Sequence, residues 1–188
     1  AQKQLCQLIG EMAEISTAEV IADIGSGILG PAKIWSSQYP SLQISSVNVN
    51  FSQLASVDPG HISKINSTAR MLPFSNSSLD CVIALESAQH FKPIGDFFSE
   101  SNRVLKDDGI LALAIPTATD NSSFSNLGIL KFTWSSEHYS QKNIVDELSK
   151  NGFEIIESND IGKNVYSPLA EYYINNRSEL QKKILSRY

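Results

Sequence analysis

The stretch Val20-Ile21-Ala22-Asp23-Ile24-Gly25-Ser26-Gly27-Ile28-Leu29-Gly30 decides the fold of this chain of 188 residues. A short apolar run ends near an acidic residue, closely spaced glycines follow, and a helix-compatible segment starts near Ala32. Glycines let a backbone turn sharply and approach a ligand closely, and the first turn of a helix presents unpaired N–H groups. The pattern predicts a strand, a tight turn and a helix that together hold a nucleotide-like cofactor.

The composition is typical of one soluble globular domain, and we predict a single domain over residues 1–188. Hydrophobic residues make up 41% of the chain and charged residues 19%. The net charge of −5, with no block of Lys and Arg, argues against a nucleic-acid partner. No apolar run approaches the roughly 20 residues that a membrane span needs. Cys and His show no metal-ligand spacing, so we expect no metal, and we expect a cytoplasmic location.

Apolar, β-branched runs alternate with helical patterns along the chain. This alternation is typical of an α/β fold, doubly wound, with a mainly parallel Rossmann-like sheet and helices on both faces. Strands are predicted at residues 20–23, 43–49, 62–65, 81–85, 110–115 and 153–158. Helices are predicted at residues 4–15 within an N-terminal helical region 1–18, and at 32–39, 94–105, 141–151 and 167–185. Residues 104–109 read as a helix end and a turn before the fifth strand.

Polar residues follow several of the predicted strands. In a doubly wound sheet, ligands bind outside the carboxyl ends of the strands. The residues expected at this edge are Asp23, Asn48, Thr68-Ala69, Leu85-Glu86 and Ile115-Pro116. The sequence therefore predicts the functional site at that edge.

The glycine spacing leaves two cofactor classes open. Gly25, Gly27 and Gly30 fit G-x-G-x-x-G, the spacing of dinucleotide-binding oxidoreductases. Such enzymes usually carry an acidic residue about 20 positions further on, whereas the nearest match here is Asn48. An NAD-dependent oxidoreductase is thus an alternative that the glycines alone do not exclude.

Four separated stretches resemble motifs of the class I S-adenosylmethionine-dependent methyltransferases. They are residues 23–27, 47–53, 69–91 (without 75–76) and 100–109, and with Gly152-Phe153-Glu154 the likeness runs in order over about residues 15–160. Residues 86–91 look most like the small-molecule branch, which includes tocopherol, sterol, ubiquinone and antibiotic-sugar methyltransferases. The resemblance implies transfer of a methyl group from S-adenosylmethionine to an O, N or C atom of a small molecule.

The resemblance also implies a cofactor site, whose residues are Asp23, Gly25, Ser26, Gly27, Asn48, Val49, Gln53, Thr68, Ala69, Leu85 and Glu86. The glycines would leave room for the methionine portion, and Asp23 would orient the turn or the ammonium group. Asn48 would bind the ribose, while Val49 and the Thr68-Ala69 backbone would line the adenine.

His90 is the candidate general base, because it lies beside Glu86 just beyond the fourth strand. A base is needed only where the acceptor must lose a proton, and histidine commonly serves near neutral pH. The alternative is that His90 caps a loop or packs against Phe91. Glu86 would hold the cofactor or a substrate amine, unless it is a solvated loop carboxylate. The segment 117–140 resembles the family's substrate lid, where His138 and Tyr139 either contact substrate or lie at the surface.

Three positions depart from the family pattern. Asn48 stands where an acidic residue is usual, Leu29 where glycine is frequent, and Thr68 where an acidic group commonly meets the adenine amino group. These departures motivate a second alternative, a catalytically degenerate partner subunit. The usual antiparallel seventh strand has no candidate, the segment between Asn50 and Ala69 is short for a helix, and we expect the chain to be trimmed.

Overall fold

The structure, a computed structural model, describes residues 2–117, 139–164 and 176. Its contacts group Gln2–Ile155 into one compact unit and assign Ala1 and Ile156–Tyr188 to a second. Within the second unit, residues 162–164 are helical. The prediction of a single domain over residues 1–188 stays a prediction.

The first unit is built on a parallel sheet of five strands, in the order β3-β2-β1-β4-β5. The strands are β1 (Val20–Ile24), β2 (Gln43–Asn48), β3 (Ser63–Asn66), β4 (Leu79–Leu85) and β5 (Leu105–Ala114). Their apolar, β-branched residues fit a sheet covered on both faces, as parallel sheets require. The predicted α/β fold is confirmed.

Helices cover both faces of the sheet. They are α1 (Gln2–Met12), α2 (Gly30–Gln38), α3 (Phe51–Ala55), a 3-10 helix (Ala88–His90), α4 (Ile94–Val104) and α5 (Gln141–Lys150). The buried indole of Trp35 joins α2 to α1, because its Nε1 donates to the carbonyl oxygen of Cys6 at 2.9 Å.

An apolar cluster lies between α4 and the sheet. Phe97 and Phe98 are fully buried there, as predicted, together with Val82 and Val104. Burying one such side chain stabilises the fold by about 1.5–3 kcal/mol. Phe91 packs edge-on against Phe97 with ring centroids 4.9 Å apart, so the loop after β4 is anchored on this cluster.

The link between α4 and β5 differs from the prediction. Residues 104–109 contain no separate turn, because β5 already begins at Leu105. Leu105 pairs with Leu79, and Ile110 pairs with Cys81. Between these two pairs β5 therefore contains four residues where β4 contains one. The intervening residues therefore bulge out of the ladder.

Two further predictions are wrong. The predicted sixth strand, residues 153–158, contains no strand. Ile155 and Ile156 are 41% and 87% exposed, and β-branched residues favour a strand only when a neighbouring strand pairs with them. Conversely, the segment after Asn50 does hold a short helix, α3, whose first turn is capped where the Asn50 side chain accepts a bond from the Gln53 N–H.

Some predictions lie outside the described residues. These are His138, most of the lid-like segment 117–140, and the helix at 167–185 except Asn176. None of the helices within the described ranges is long and apolar enough to cross a membrane.

Candidate active site

The turn after β1 uses left-handed backbone at three positions, Gly25 (φ 76°), Gly27 (φ 54°) and Leu29 (φ 64°). At Gly25 a Cβ atom would lie 2.5 Å from the Cβ of Ser87, so only glycine fits. Around Gly27 a Cβ atom would meet nothing within 4 Å. Leu29 adopts a conformation that glycine favours, which agrees with its departure from the family pattern. The turn is therefore packed at Gly25 and open at Gly27.

Backbone hydrogen bonds fasten this turn to its neighbours. The N–H groups of Gly25 and Ser26 both donate to the carbonyl oxygen of Val47, at 2.8 and 3.2 Å. The hydroxyl of Ser87 donates to the carbonyl oxygen of Ile24 at 2.6 Å. The carboxyl ends of β1, β2 and β4 thus form one rigid edge.

Asn48 lies at this edge and is buried. Its Nδ2 donates to the carbonyl oxygen of Gly27 at 3.2 Å and to Gln53 Oε1 at 2.8 Å. Its Oδ1 accepts the N–H of Asn50 at 3.3 Å. Asn48 and Gln53, predicted separately as ligands, are therefore one hydrogen-bonded pair that bridges the glycine turn and α3.

Asp23 is buried on β1, with 2% of its surface exposed. Its Oδ2 has no hydrogen-bond partner among the described residues, and the same holds for the hydroxyls of Ser26 and Ser46. Ser46 is the in-register partner of Asp23 on β2. Burial raises the pKa of Asp23 from 3.8 to about 7. Buried polar groups normally find partners, so these atoms are candidates for contact with a polar ligand.

Four exposed apolar side chains surround the edge, Ile28, Val49, Phe51 and Met71, each more than 60% exposed. Only Val49 was predicted as a ligand. The other three were missed because an apolar residue in a loop carries no chemical signature in the sequence. Large apolar groups that are exposed close together commonly mark a binding surface.

The loop after β3 carries Thr68, which is exposed, and Ala69, which is buried. Arg103 on α4 holds the continuation of this loop through bonds to the carbonyl oxygens of Leu72 and Phe74, both at 2.9 Å. The Glu100 carboxylate pairs with Arg103 and accepts the Leu72 N–H at 2.8 Å. The hydrogen bonds of Arg103 lower the pKa of Glu100.

The loop after β4 carries the remaining predicted residues. Leu85 is the half-buried last residue of β4, and Glu86 is exposed with a left-handed φ of 50°. Such backbone costs about 1–3 kcal/mol in a non-glycine residue and is frequent at functional sites. The exposed side chain of His90 ends the 3-10 helix.

Contacts that the sequence did not reveal hold the His90 loop in place. Gln89 is buried, and its Nε2 donates to the carbonyl oxygen of Glu86 at 2.8 Å. The hydroxyl of Tyr139 donates to the carbonyl oxygen of Phe91 at 3.1 Å. Tyr139 is thus half-buried against this loop rather than at an open surface position.

An open concavity of about 390 Å³ lies away from this edge, beside the residues that precede β3. It is lined by Lys33, Ser36, Ser37, Asp58, Pro59, Gly60, His61 and Ile62. None of these carries a buried unpartnered polar atom in the described part of the chain, so the unsatisfied chemistry is concentrated at the carboxyl edge. Within the same described ranges, no three His, Cys, Asp or Glu residues are grouped to hold a metal ion.

Comparison with known proteins bears on the class of this fold. The profile of the Methyltransferase domain family matches residues 22–113, from β1 into β5. Together with the strand order and the glycine turn, this match supports a class I S-adenosylmethionine-dependent methyltransferase. The predicted family and enzyme class are confirmed.

The chain is also similar to two curated relatives and to one solved structure. It is 26% identical over 211 aligned positions to erythromycin 3''-O-methyltransferase of Saccharopolyspora erythraea, covering all of this chain and 68% of that protein. It is 28% identical over 190 positions to sterol 24-C-methyltransferase of Kluyveromyces lactis, covering 89% of this chain and 51% of the relative.

Phosphoethanolamine N-methyltransferase 2 of Haemonchus contortus, solved with phosphomonomethylethanolamine and S-adenosylhomocysteine, has the same fold. Its TM-score is 0.76 at 20% identity, with 98% of this chain and 44% of that chain covered. The chain therefore spans only about half the length of the sterol and phosphoethanolamine enzymes. The names of the three relatives specify an oxygen, a carbon and a nitrogen atom.

The residues at the carboxyl edge fit S-adenosylmethionine. This cofactor carries an ammonium and a carboxylate on its methionine portion, two ribose hydroxyls and an apolar adenine face. The unpartnered Asp23 and Ser26 atoms suit a polar amino-acid group, and the open space at Gly27 admits a ligand beside the backbone. The exposed Val49 and Met71 side chains suit a flat apolar ring.

Proposed function

We propose that the protein transfers the methyl group of S-adenosylmethionine to an oxygen, nitrogen or carbon atom of a small-molecule acceptor. The observation that carries the proposal is the meeting of an open glycine turn with the unpartnered, buried Asp23 and Ser26 atoms at one sheet edge. When bound, the cofactor supplies a methyl group that its sulfonium has already activated. The chain's own residues bind it, orient the acceptor and take up a proton.

The cofactor residues that we propose are those predicted from the sequence. Asp23, Gly25, Ser26 and Gly27 would hold the methionine portion, with Leu85 and Glu86 beside them. Because the Asn48 amide is occupied by Gly27 and Gln53, the ribose would be bound by the Asn48–Gln53 pair as a unit. The rest of the site, Val49, Thr68 and Ala69, would line the adenine.

His90 is the proposed general base. Its imidazole is exposed at the end of the 3-10 helix, and the backbone around it is held by the bonds from Gln89 and Tyr139. An exposed ring on a fixed backbone can accept a proton from an acceptor hydroxyl, ammonium or activated carbon. Much of the remaining rate enhancement would come from positioning, which is the main requirement of an in-line displacement.

The acceptor class rests on the relatives. Erythromycin, sterol and phosphoethanolamine enzymes all act on small molecules by their names, which supports a small-molecule acceptor and leaves the atom open. We do not favour the NAD-dependent oxidoreductase, since the position of its ribose-binding acid holds Asn48.

Titration calorimetry with S-adenosylhomocysteine, S-adenosylmethionine and NADH tests the cofactor. We expect both adenosyl compounds to bind and NADH not to bind, and the reverse pattern would contradict the proposal. Transfer of labelled methyl from the cofactor is then measured with a hydroxylated macrolide, a sterol and phosphoethanolamine as acceptors.

The His90→Gln variant tests the base. We expect unchanged cofactor affinity and a methyl-transfer rate at least 10²-fold lower wherever the acceptor must lose a proton. Cofactor binding without transfer to any acceptor, restored by a second protein, would instead favour the degenerate partner subunit.

A further inference from the structure

The carboxyl group of Asp23 has no positive neighbour in the described part of the chain. Its in-register partners on β2 and β4 are Ser46 and Ile83, neither of which carries a charge. The thiol of Cys6 on α1 is the titratable group that senses the charge of Asp23, and the carboxylate of Glu86 after β4 acts on the same thiol. Burial raises the pKa of Cys6, and the charges of Asp23 and Glu86 raise it further.

An ionised carboxylate at this place would be costly. It would sit beside the Ser46 hydroxyl, itself fully buried and unpartnered, without a cation or a described hydrogen-bond donor on its Oδ2. A buried carboxyl without a partner takes up a proton instead, because burial disfavours the charged form. Asp23 is therefore a neutral acid over part of the physiological pH range.

A positive ligand at the glycine turn would reverse this preference. Asp23 lies two residues before Gly25, and the hydroxyl of Ser26 in the same turn is also buried and unpartnered. S-adenosylmethionine carries two positive groups on its methionine portion, the ammonium and the sulfonium. A cation within a few ångströms favours the ionised form of a carboxyl group.

We infer that Asp23 is protonated in the unliganded protein and gives up its proton to solvent when S-adenosylmethionine binds. The inference rests on the proposed function, since it requires the cofactor at the turn after β1. Asp23 is then a specificity-determining residue, because its ionised form binds the ligand with more positive charge more tightly. S-adenosylhomocysteine keeps the ammonium group and lacks the sulfonium, so it favours ionisation of the Asp23 carboxyl group less strongly. Raising the pH favours the cofactor over the product.

Calorimetry in two buffers that differ in ionisation enthalpy measures the proton. At pH 6.5 the cofactor's own ammonium group is almost fully protonated and contributes little. We expect release of about half to one proton per S-adenosylmethionine bound by the wild-type chain, and a smaller release with S-adenosylhomocysteine. Asp23→Asn should bind with no proton release. Glu86→Gln and Cys6→Ala, which alter the two neighbouring titratable groups, should keep the wild-type release.

A pH series gives a second readout. We expect the affinity of the wild-type chain, divided by that of Asp23→Asn, to rise about tenfold between pH 6 and pH 8. Because the ligand's own ionisation changes both affinities equally, it drops out of this ratio. If Asp23→Asn does not fold, calorimetry in the two buffers with the wild-type chain and with Glu86→Gln still tests whether a group other than Glu86 releases the proton.

These experiments distinguish failure of the proposed function from failure of the inference about Asp23. A chain that does not bind S-adenosylmethionine at any pH refutes the proposed function. Binding without proton release, release that persists in Asp23→Asn, or release lost only in Glu86→Gln overturns the role of Asp23. Equal release with S-adenosylmethionine and S-adenosylhomocysteine overturns its discrimination between cofactor and product.

Discussion

Asn48 and Gly27 are joined by a hydrogen bond of 3.2 Å, in which the side-chain Nδ2 donates to the backbone carbonyl oxygen. The same nitrogen donates to Gln53 Oε1, so one amide holds the turn after β1 against the start of α3. A carboxylate, which is usual at this position in the family, has no hydrogen to donate to either oxygen. The departure at Asn48 therefore adds a link between two loops that an acid cannot make.

We expect Asn48→Asp to lower the free energy of unfolding at pH 7 by about 1–3 kcal/mol, because a carboxylate would face two carbonyl oxygens. Asn48→Ala should cost less, since it removes the donor without adding charge. Acidification should reduce the difference in unfolding free energy between the two variants, because a protonated carboxyl group can donate a hydrogen bond. Urea unfolding at pH 7 and at pH 4.5 measures this order. An Asn48→Asp chain as stable as the wild type at pH 7 would show that Gln53 turns its amide to compensate.

Gly25 and Gly27 make a matched pair for separating folding from binding. Gly25→Ala would place a Cβ atom 2.5 Å from Ser87, so we expect a loss of about 3 kcal/mol or more in unfolding free energy. Gly27→Ala meets no atom within 4 Å and bears only backbone strain, about 1 kcal/mol. The Gly27→Ala variant should instead show a lower affinity for the cofactor. Thermal unfolding and calorimetry with S-adenosylhomocysteine distinguish the two, and equal destabilisation would contradict the packing described for Gly25.

Asp23 should make the stability of the unliganded chain fall as the pH rises. Its pKa is about 7 in the folded protein and near 3.8 when unfolded, so its stabilising contribution is complete below pH 3.8 and is lost on approaching pH 7. The slope is about 1.36 kcal/mol per pH unit and falls to half at the pKa, so the change between pH 5.5 and pH 7 amounts to about 1.6 kcal/mol. Asp23→Asn removes this slope. Urea unfolding of both chains across pH 5–8 measures it, and parallel curves would argue against a neutral Asp23.

Arg103 should matter more to stability than its exposure suggests. Its guanidinium binds two backbone carbonyl oxygens and the Glu100 carboxylate, a geometry that lysine cannot reproduce. We expect Arg103→Lys to cost about 1–2 kcal/mol, a value reduced for the one-third exposure of the side chain.

Arg70 provides the control for this substitution. It pairs with Asp96 at 2.7 Å, but the two side chains are 58% and 42% exposed. Arg70→Lys should therefore change the unfolding free energy by less than about 0.5 kcal/mol. Chemical denaturation of both variants gives the comparison. An equal effect would mean that the bonds of Arg103 to the backbone add nothing beyond a surface ion pair.

The sequence predicted the five strands of the sheet well, because each is a short apolar run bounded by polar or turn residues. All five lie within a few residues of the predicted ranges, and the largest difference is the start of β5. The run from Phe153 to Ser158 looked the same and forms no strand. Hydrophobic alternation does not reveal whether a neighbouring strand is present to pair with it.

At the site, the sequence indicated the residues and not their relationships. Asn48 and Gln53 were identified separately, yet their mutual bond depends on how β2 leads into α3. Asp23 and its in-register neighbour Ser46 are both buried and unpartnered, and the sequence did not single out Ser46. The role of Tyr139 in holding Phe91 joins residues 48 positions apart. Such contacts follow from tertiary packing and leave no local pattern.

The bond from Tyr139 to the Phe91 carbonyl oxygen also bears on how this protein can be re-engineered. Residues 118–138 lie between β5 and Tyr139 after three further residues, so a chimera that exchanges them can keep Tyr139 and α5 from the parent chain. A junction placed after residue 138 leaves the support of the His90 loop intact, whereas a junction inside α5 discards it. Exchange of residues 118–138 between relatives, the segment that resembles the family's substrate lid, should therefore tolerate the first boundary and fail at the second.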